Sequence, residues 1–310
     1  MKGLLTLAIR LIAPLAALAC HASADQAAAP PDRPLLWKIE SESLQKPSYL
    51  FGTIHLATPR IARLHPAAER AFAQADAVFT EIPLDAKTQL GAAALMMRDD
   101  GSKLSQSIGE DTMAKLDAAL KGINPAFTAE LFEPMKTWAV ATAVVMLPHQ
   151  LKGGKSLDQL LWQRATEEDK PASGLEQVKD QLAAFEGGLS EAEQSIFLRA
   201  TLENLVQGAA MLDEIIAAYE TGDEKTIGDL MVRSIRDFGV NEQERAIGTR
   251  LLKRLLTDRD VTMAATIDGH LEKQPGKSHF FAVGAAHLIG DTSIRKHLET
   301  KGYRITRITE

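Results

Sequence analysis

Two histidines close near-copies of one short pattern. "SYLFGTIHL" carries an apolar run to His55 and "FFAVGAAHL" carries another to His287, each imidazole three residues after a glycine. The copies stand 232 positions apart, 287 minus 55. Glu81, in "FTEIP", follows His55 by 26 residues and lies near the end of a third apolar run. A carboxylate in such a place is costly unless it is paired, metal-bound or at a water-facing rim. Two imidazoles and one carboxylate are a competent ligand set for a divalent ion with positions left open for water and substrate. An ion held there polarises a carbonyl or acidifies water. Without one, the same trio can act as general base and orienting acid.

The spacing is not HExxH, in which one helix fixes both ligands. A lone histidine at a strand end is usually a hydrogen-bonded rim or core residue; the duplicated context and the carboxylate set this pair apart. His65 precedes Pro66 at a helix entrance, His149 follows Pro148, His270 and His297 lie on helical patterns, and His279 stands at the wrong end of its strand. Glu176 in "SGLEQVKDQ" reads first as a helix-start carboxylate favoured by the dipole, with the rim as its alternative. Arg259 in "LLTDRDVTM" reads as the surface half of an ion pair of little energy. There is no GxSxG, GxxxxGK[ST] or strand-following GxGxxG, which argues against common serine hydrolases, nucleotide enzymes and nicotinamide enzymes.

These residues need elements to hold them. "LLWKIES" and "YLFGTIH" read as strands, "HPAAERAFAQAD" as a helix opened by Pro66, and "AVFTEIPL" (Ala77–Leu84) as a buried strand ending at Pro83. From about Asp85 to Gln274 the pattern is helical, broken at glycines and prolines, apart from a short strand in "KPASGLE" followed by a helix from "QVKDQLAAF". Sheet returns in "HFFAVGAAH", then a helix closed by Gly302, then "YRITRIT". The expected class is α/β: one mixed central sheet built from both chain ends, with a large α-helical insertion over 85–274 in a single domain over 35–310. In open α/β sheets ligands collect beyond the carboxyl ends of strands, so both histidines should reach one rim. The insertion can cover that rim and select substrate.

The first residues read as an export signal. Lys2 and Arg10 flank an apolar stretch that ends in "ASA", so cleavage is expected after Ala24, in preference to lipidation at Cys20. A flexible leader follows over 25–34. Cys20 is the only cysteine, so the mature chain would have no disulfide and no thiolate ligand. The formal charge is −6, and −8 without Lys2 and Arg10. No basic cluster suits a nucleic-acid partner, and no later apolar run suits a membrane span. The expected product is periplasmic or secreted.

Taken in order, "LWKIE", "SYLFGTIHLA", "DAVFTEIPLD", "KSLDQLLWQRA", "KPASGLEQVKDQLAAF", "DRDVTMAATI" and "FFAVGAAHLIGDTSIRKHLETKGYRITRI" resemble the TraB/GumN family, which includes the animal Tiki and bacterial pheromone-shutdown proteins. The resemblance runs from about Leu35 to Ile308. It implies a metalloprotease-like hydrolase acting on a peptide or protein in the cell envelope, with a divalent ion (manganese, cobalt or zinc) as cofactor. It implies His55 and His287 from the paired GxxH motifs and Glu81 from the strand end as metal and catalytic residues, with Glu176 and Arg259 lining the pocket. One departure stands out: the family commonly has Arg-Asn where this chain has Arg259-Asp260, which puts the hydrogen-bonding role of that neighbour in doubt. Related folds include erythromycin-esterase-like hydrolases and a haem-binding lipoprotein. A periplasmic haem- or metal-binding protein and a metal-independent esterase-like hydrolase are therefore the alternatives.

Overall fold

The computed structural model describes residues 29–310 except 57, 152–154 and 237; the expected export signal, Cys20 and the start of the leader lie outside the described residues. Six strands form one mixed sheet in the order β4-β3-β5-β2-β1-β6. β1 (Leu36–Glu40) and β2 (Ser48–Thr53) make an antiparallel pair, and β6 (Arg304–Ile308) flanks β1 antiparallel. β3 (Ala77–Thr80), β4 (Ala172–Gly174), β5 (His279–Gly284) and β2 are mutually parallel, so their carboxyl ends share one edge.

β2 and β5 occupy the middle of the sheet, and every residue of both is buried. That is why they read as continuous apolar runs: a parallel strand covered on both faces has no solvent side to alternate toward. Phe280 packs 5.4 Å from Phe51 on the neighbouring strand and 5.4 Å, edge-on, from Phe72. Phe72 comes from α1 (Pro66–Gln74), which Pro66 opens and His65 caps by accepting the Ala67 N–H. Each such fully buried aromatic removes enough apolar surface to stabilise the fold by roughly 1.5–3 kcal/mol.

The chain between β3 and β5 is helical except for β4. It comprises α2 (Ala86–Leu95), α3 (Leu104–Ile123), α4 (Thr137–Leu151), α5 (Leu157–Glu167), α6 (Val178–Glu186), α7 (Glu191–Glu203), α8 (Leu205–Thr221), α9 (Glu224–Arg236), α10 (Glu242–Leu255) and α11 (Thr257–Lys273). A last helix, α12 (Ile294–Thr300), precedes β6. α5 and α11 add Leu161, Ala165, Ile267 and Leu271 to the core around the sheet. A second apolar cluster is built within the helical segment around Leu104, Phe132, Val140 and Trp138, and Trp138 stacks on Phe185 of α6 at 5.2 Å. Among the described residues no helix is long and apolar enough to cross a membrane.

Two strands end earlier than their apolar runs suggest. β3 stops at Thr80, whose hydroxyl donates to the Ile82 carbonyl at 2.7 Å and turns the chain before Pro83. β5 stops at Gly284, and Ala285–Leu288 coil into a 3₁₀ turn that carries His287. Glu81 and His287 therefore lie just past their strands rather than within them.

Candidate functional site

The carboxyl edge of the sheet gathers all five residues singled out by the sequence. Parallel pairing puts Thr53 opposite Gly284, so the two GxxH segments leave the sheet side by side, offset by one residue. Glu81 leaves β3 on the far side of β5. Beyond β3 and β4 the backbones stay bonded, Leu175 N–H to the Thr80 carbonyl and Glu176 N–H to the Glu81 carbonyl, each at 2.9 Å. Only glycine is possible at 174 in this arrangement, because a Cβ there would sit 2.4 Å from Pro83 Cδ. This close approach brings Glu176 beside Glu81.

Glu81 Oε1 is the focus. It lies 3.8 Å from His55 Nε2 and 3.6 Å from His287 Nε2, and it accepts the Gly284 N–H at 2.7 Å. Its other oxygen accepts from Arg259 at 2.5 Å and from the Gln181 side chain at 3.0 Å. Arg259 also grips Glu176, with one contact from Nε at 2.9 Å, and stands 3.3 Å from His287 Nε2. Arg259 and Glu176 each have a bland sequence reading beside the pocket-lining one that the resemblance implies, and only the bland reading is corrected here. Arg259 is no surface ion-pair partner, since its side chain is 11 % exposed. Glu176 is no solvated helix-start acid but is buried against that guanidinium.

Each histidine is held from behind by an aspartate. His55 Nδ1 meets Asp158 at 3.1 Å, and Thr53 donates to the other Asp158 oxygen at 2.6 Å. His287 Nδ1 meets Asp260 at 2.6 Å. We assign the Nδ1 proton to both rings, donated to these carboxylates, so that each Nε2 atom faces Glu81 and becomes an acceptor wherever it carries no proton. The Arg259-Asp260 departure thus keeps its bonding role: a carboxylate accepts from His287. Asp158 and Asp260 sit in the first turns of α5 and α11, where the helix dipole favours an anion. Asp158 and Gln181 were not singled out from sequence, and Asp260 only as a departure from the family pattern. The available signal was helical phase, since Asp158 shares a buried stripe with Leu161 and Ala165, and Asp260 with Met263, Ile267 and Leu271.

The electrostatics follow from these contacts. Asp158 first, with Glu81 adding to it, pushes the His55 imidazole, 59 % exposed toward the cavity, up to about 9 against the nearby Arg259. Burial works to raise Glu81, but His287, His55, Arg259 and the Gly284 N–H together hold it well below the usual carboxylate range. Burial raises Glu176 and Asp260, opposed by Arg259 and His287 respectively. With His55 protonated and His287 counted as neutral, four carboxylates against one guanidinium and one imidazolium leave the cluster formally at −2, and at −3 once His55 gives up its Nε2 proton.

Among the described residues no group of three or more His, Cys, Asp or Glu side chains is placed so that it could hold a metal ion as it stands. The separations of His55, His287 and Glu81 are nevertheless close to those between donors around one divalent ion. Donors about 2.1 Å from a tetrahedral ion stand about 3.4 Å from one another, against the 3.6 and 3.8 Å found here. A Cβ at Gly284 would fall 3.0 Å from Glu81 Oε1, 3.5 Å from His55 Nε2 and 3.6 Å from His287 Cδ2, so the glycine keeps clear the space these donors face. Carboxylates behind both histidines are also the arrangement that fixes metal-binding imidazoles. Above the cluster opens a cavity of about 530 Å³, roofed by residues of α6, α8 and α9 and by the α10–α11 junction.

The fold and the cluster define a mixed α/β protein with a two-histidine, carboxylate-rich site at the carboxyl edge of its sheet. The chain belongs to the TraB/PrgY/gumN family, whose profile matches residues 35–307. It is similar to the metalloprotease TIKI2 of Danio rerio, 25% identical over 87% of this chain and 60% of that protein. Metalloprotease TIKI1 of Homo sapiens is 25% identical over 87% and 61%, and the metalloprotease TIKI homolog of Nematostella vectensis 26% over 84% and 64%. The chain thus spans about 60% of the length of these curated relatives. No solved structure matches significantly, so the erythromycin-esterase and haem-lipoprotein comparison rests on resemblance alone.

Proposed function

We propose that the chain is an exported, metal-dependent hydrolase of peptide or protein substrates in the cell envelope. The observation that carries this reading is the convergence of two imidazole Nε2 atoms on one carboxylate oxygen, with each opposite ring nitrogen pinned by a buried aspartate. The metalloprotease names of the relatives support the reaction class, and the amino-terminal sequence supports export. His55 Nε2, His287 Nε2 and Glu81 Oε1 would hold the ion. When bound, a divalent ion supplies charge stabilisation to a scissile carbonyl and acidity to water.

The chain's own residues do the rest. Asp158 and Asp260 keep the rings in one tautomer and one orientation, so no reorganisation is needed at the moment of reaction. Arg259 and Gln181 fix Glu81 Oε2 and leave Oε1 directed at the histidines. Glu176 takes part of the guanidinium's charge, which stops Arg259 from neutralising Glu81 entirely. The same contacts keep Glu81 ionised, as a ligand must be, and its burial beside the cavity keeps bulk water from competing.

The test is metal content and peptide hydrolysis in wild type, His55→Ala and His287→Ala, with folding checked by circular dichroism. Both histidines are expected to be required for both properties. Metal binding and hydrolysis that survive in folded versions of both variants would refute the reading.

A further inference from the structure

We infer that the site selects a peptide segment presenting an uncharged aliphatic or aromatic side chain next to the bond that is cut; this rests on the peptide-hydrolase reading above. The cavity of about 530 Å³ has a polar floor and apolar walls. Its floor is the cluster at the strand tips. Its walls come from Ile82 after β3, Phe185 on α6, Ile215 on α8, Met231 on α9 and Leu256 between α10 and α11. A volume of this size accommodates a side chain and its flanking backbone.

The charged groups that reach the cavity are already committed. Asp158 is held by Thr53 and His55, Glu81 by Arg259, Gln181 and the Gly284 N–H, and Arg259 by Glu81 and Glu176. The Tyr219 hydroxyl is spent on the Gly52 carbonyl at 2.8 Å. An acidic side chain entering the metal-free site would meet a net-anionic floor in which the cations, Arg259 and His55, are already paired with carboxylates. A basic one would lose its hydration against walls that offer no unpaired carboxylate. An aliphatic or aromatic side chain loses nothing and removes apolar surface of its own and of the walls from water. The helices that build these walls belong to the segment between β3 and β5, whereas the sheet edges supply most of the floor; selection and chemistry are therefore carried by different parts of the chain.

The experiment uses capped, fluorescein-labelled pentapeptides that differ only at the central residue: Leu, Phe, Ser, Lys or Glu. Binding to the full chain is read by fluorescence anisotropy with chelator present, so that no turnover intervenes; cleavage of the same peptides is then followed with manganese or cobalt added. The Leu and Phe peptides are expected to bind about tenfold or more tightly than the Lys and Glu peptides. Ile215→Asp should erase that gap for Lys, and Met231→Lys should erase it for Glu; two partly exposed wall positions guard against misfolding of either variant. Equal affinities across the series, tighter binding of a charged peptide, no binding of any peptide, or an unchanged order in both folded variants would each overturn the inference. The two readings separate cleanly. Apolar preference in binding without any cleavage keeps the selectivity and sinks the hydrolase, and cleavage without preference does the reverse.

Discussion

Replacing Gly284 by alanine adds one methyl group at the centre of the site and tests whether Glu81 Oε1 is the shared donor. The backbone at 284, φ −51° and ψ 135°, is one that alanine adopts without strain. The new Cβ would nonetheless lie 3.0 Å from Glu81 Oε1, 3.5 Å from His55 Nε2 and 3.6 Å from His287 Cδ2. Ordinary carbon–oxygen contact begins near 3.4 Å, so the carboxylate oxygen must retreat by about 0.4 Å. It has little room to do so, because Arg259 and Gln181 hold the other oxygen and the Gly284 N–H holds this one. A metal site tolerates donor displacements of about 0.2 Å. The expected result is a fall in divalent-metal affinity of roughly 10–100-fold, the range seen when the support of a ligand is disturbed, and a similar loss in peptide hydrolysis. Global stability should change little, since the apolar core around β5 is untouched. Isothermal titration with manganese or cobalt, hydrolysis rates and a thermal melt read the three quantities separately. Wild-type metal affinity and activity in a folded Gly284→Ala protein would refute the assignment of Oε1; a collapse in melting temperature would show that the glycine serves packing instead.

The other expectations follow from the same contacts. Asp260→Asn retains an acceptor for His287 Nδ1 and should weaken metal binding less than Asp260→Ala. The alanine variant should also lose roughly 1–3 kcal/mol of stability by leaving a buried N–H unpaired, and equal effects of the two in titration and chemical denaturation would contradict that bond. His279 is buried with no hydrogen-bond partner on either ring nitrogen, and burial first, then His270 and Lys277, hold its pKa at about 4 against 6.5 for the free group. The fold therefore binds this imidazole neutral: its full contribution is present above pH 6.5 and is lost as pH falls from 6.5 toward 4, by up to about 3 kcal/mol. His279→Phe should flatten that acid limb in denaturation curves, and an unchanged limb would contradict the assignment. Haem titration should leave the Soret band of free haem unshifted, because a carboxylate oxygen lies 3.6 and 3.8 Å from the two Nε2 atoms where a macrocycle between them would have to fit; a shifted band would favour a haem carrier.

What the sequence disclosed and what it hid have physical causes. His55, His287 and Glu81 stood out because each ends an apolar run, and parallel strands that share an edge must bring their ends together. The fold class was legible for the same reason: β2 and β5 are covered on both faces, so burial writes itself into the sequence as unbroken apolar residues. The strand ends were not legible, because the decisive events are local turns, the Thr80 hydroxyl bond to Ile82 and the 3₁₀ turn at Ala285, that leave composition unchanged.

The aspartates behind the histidines were hidden differently. Asp158 lies 103 residues from His55 and Asp260 lies 27 from His287, both on helices whose starts attract acids for ordinary reasons. Composition alone cannot separate a dipole-stabilised surface acid from one that holds an imidazole. Phase can, since each occupies the leading position of a stripe whose later members are buried aliphatic residues. A carboxylate in that position pays desolvation unless a donor waits across the helix interface, and here the donor is in both cases the Nδ1 of a GxxH histidine. The same reasoning explains why Arg259 reads from its neighbours as a surface ion-pair partner. Its helix start is crowded with acids in sequence, which suggests a solvated pair, yet its partners are Glu81 and Glu176 from the tips of two adjacent strands. The duplicated GxxH motif is thus half of a larger duplication in space: two strand-end imidazoles, each backed by an aspartate from the first turn of a helix, facing one glutamate that a single arginine holds in place.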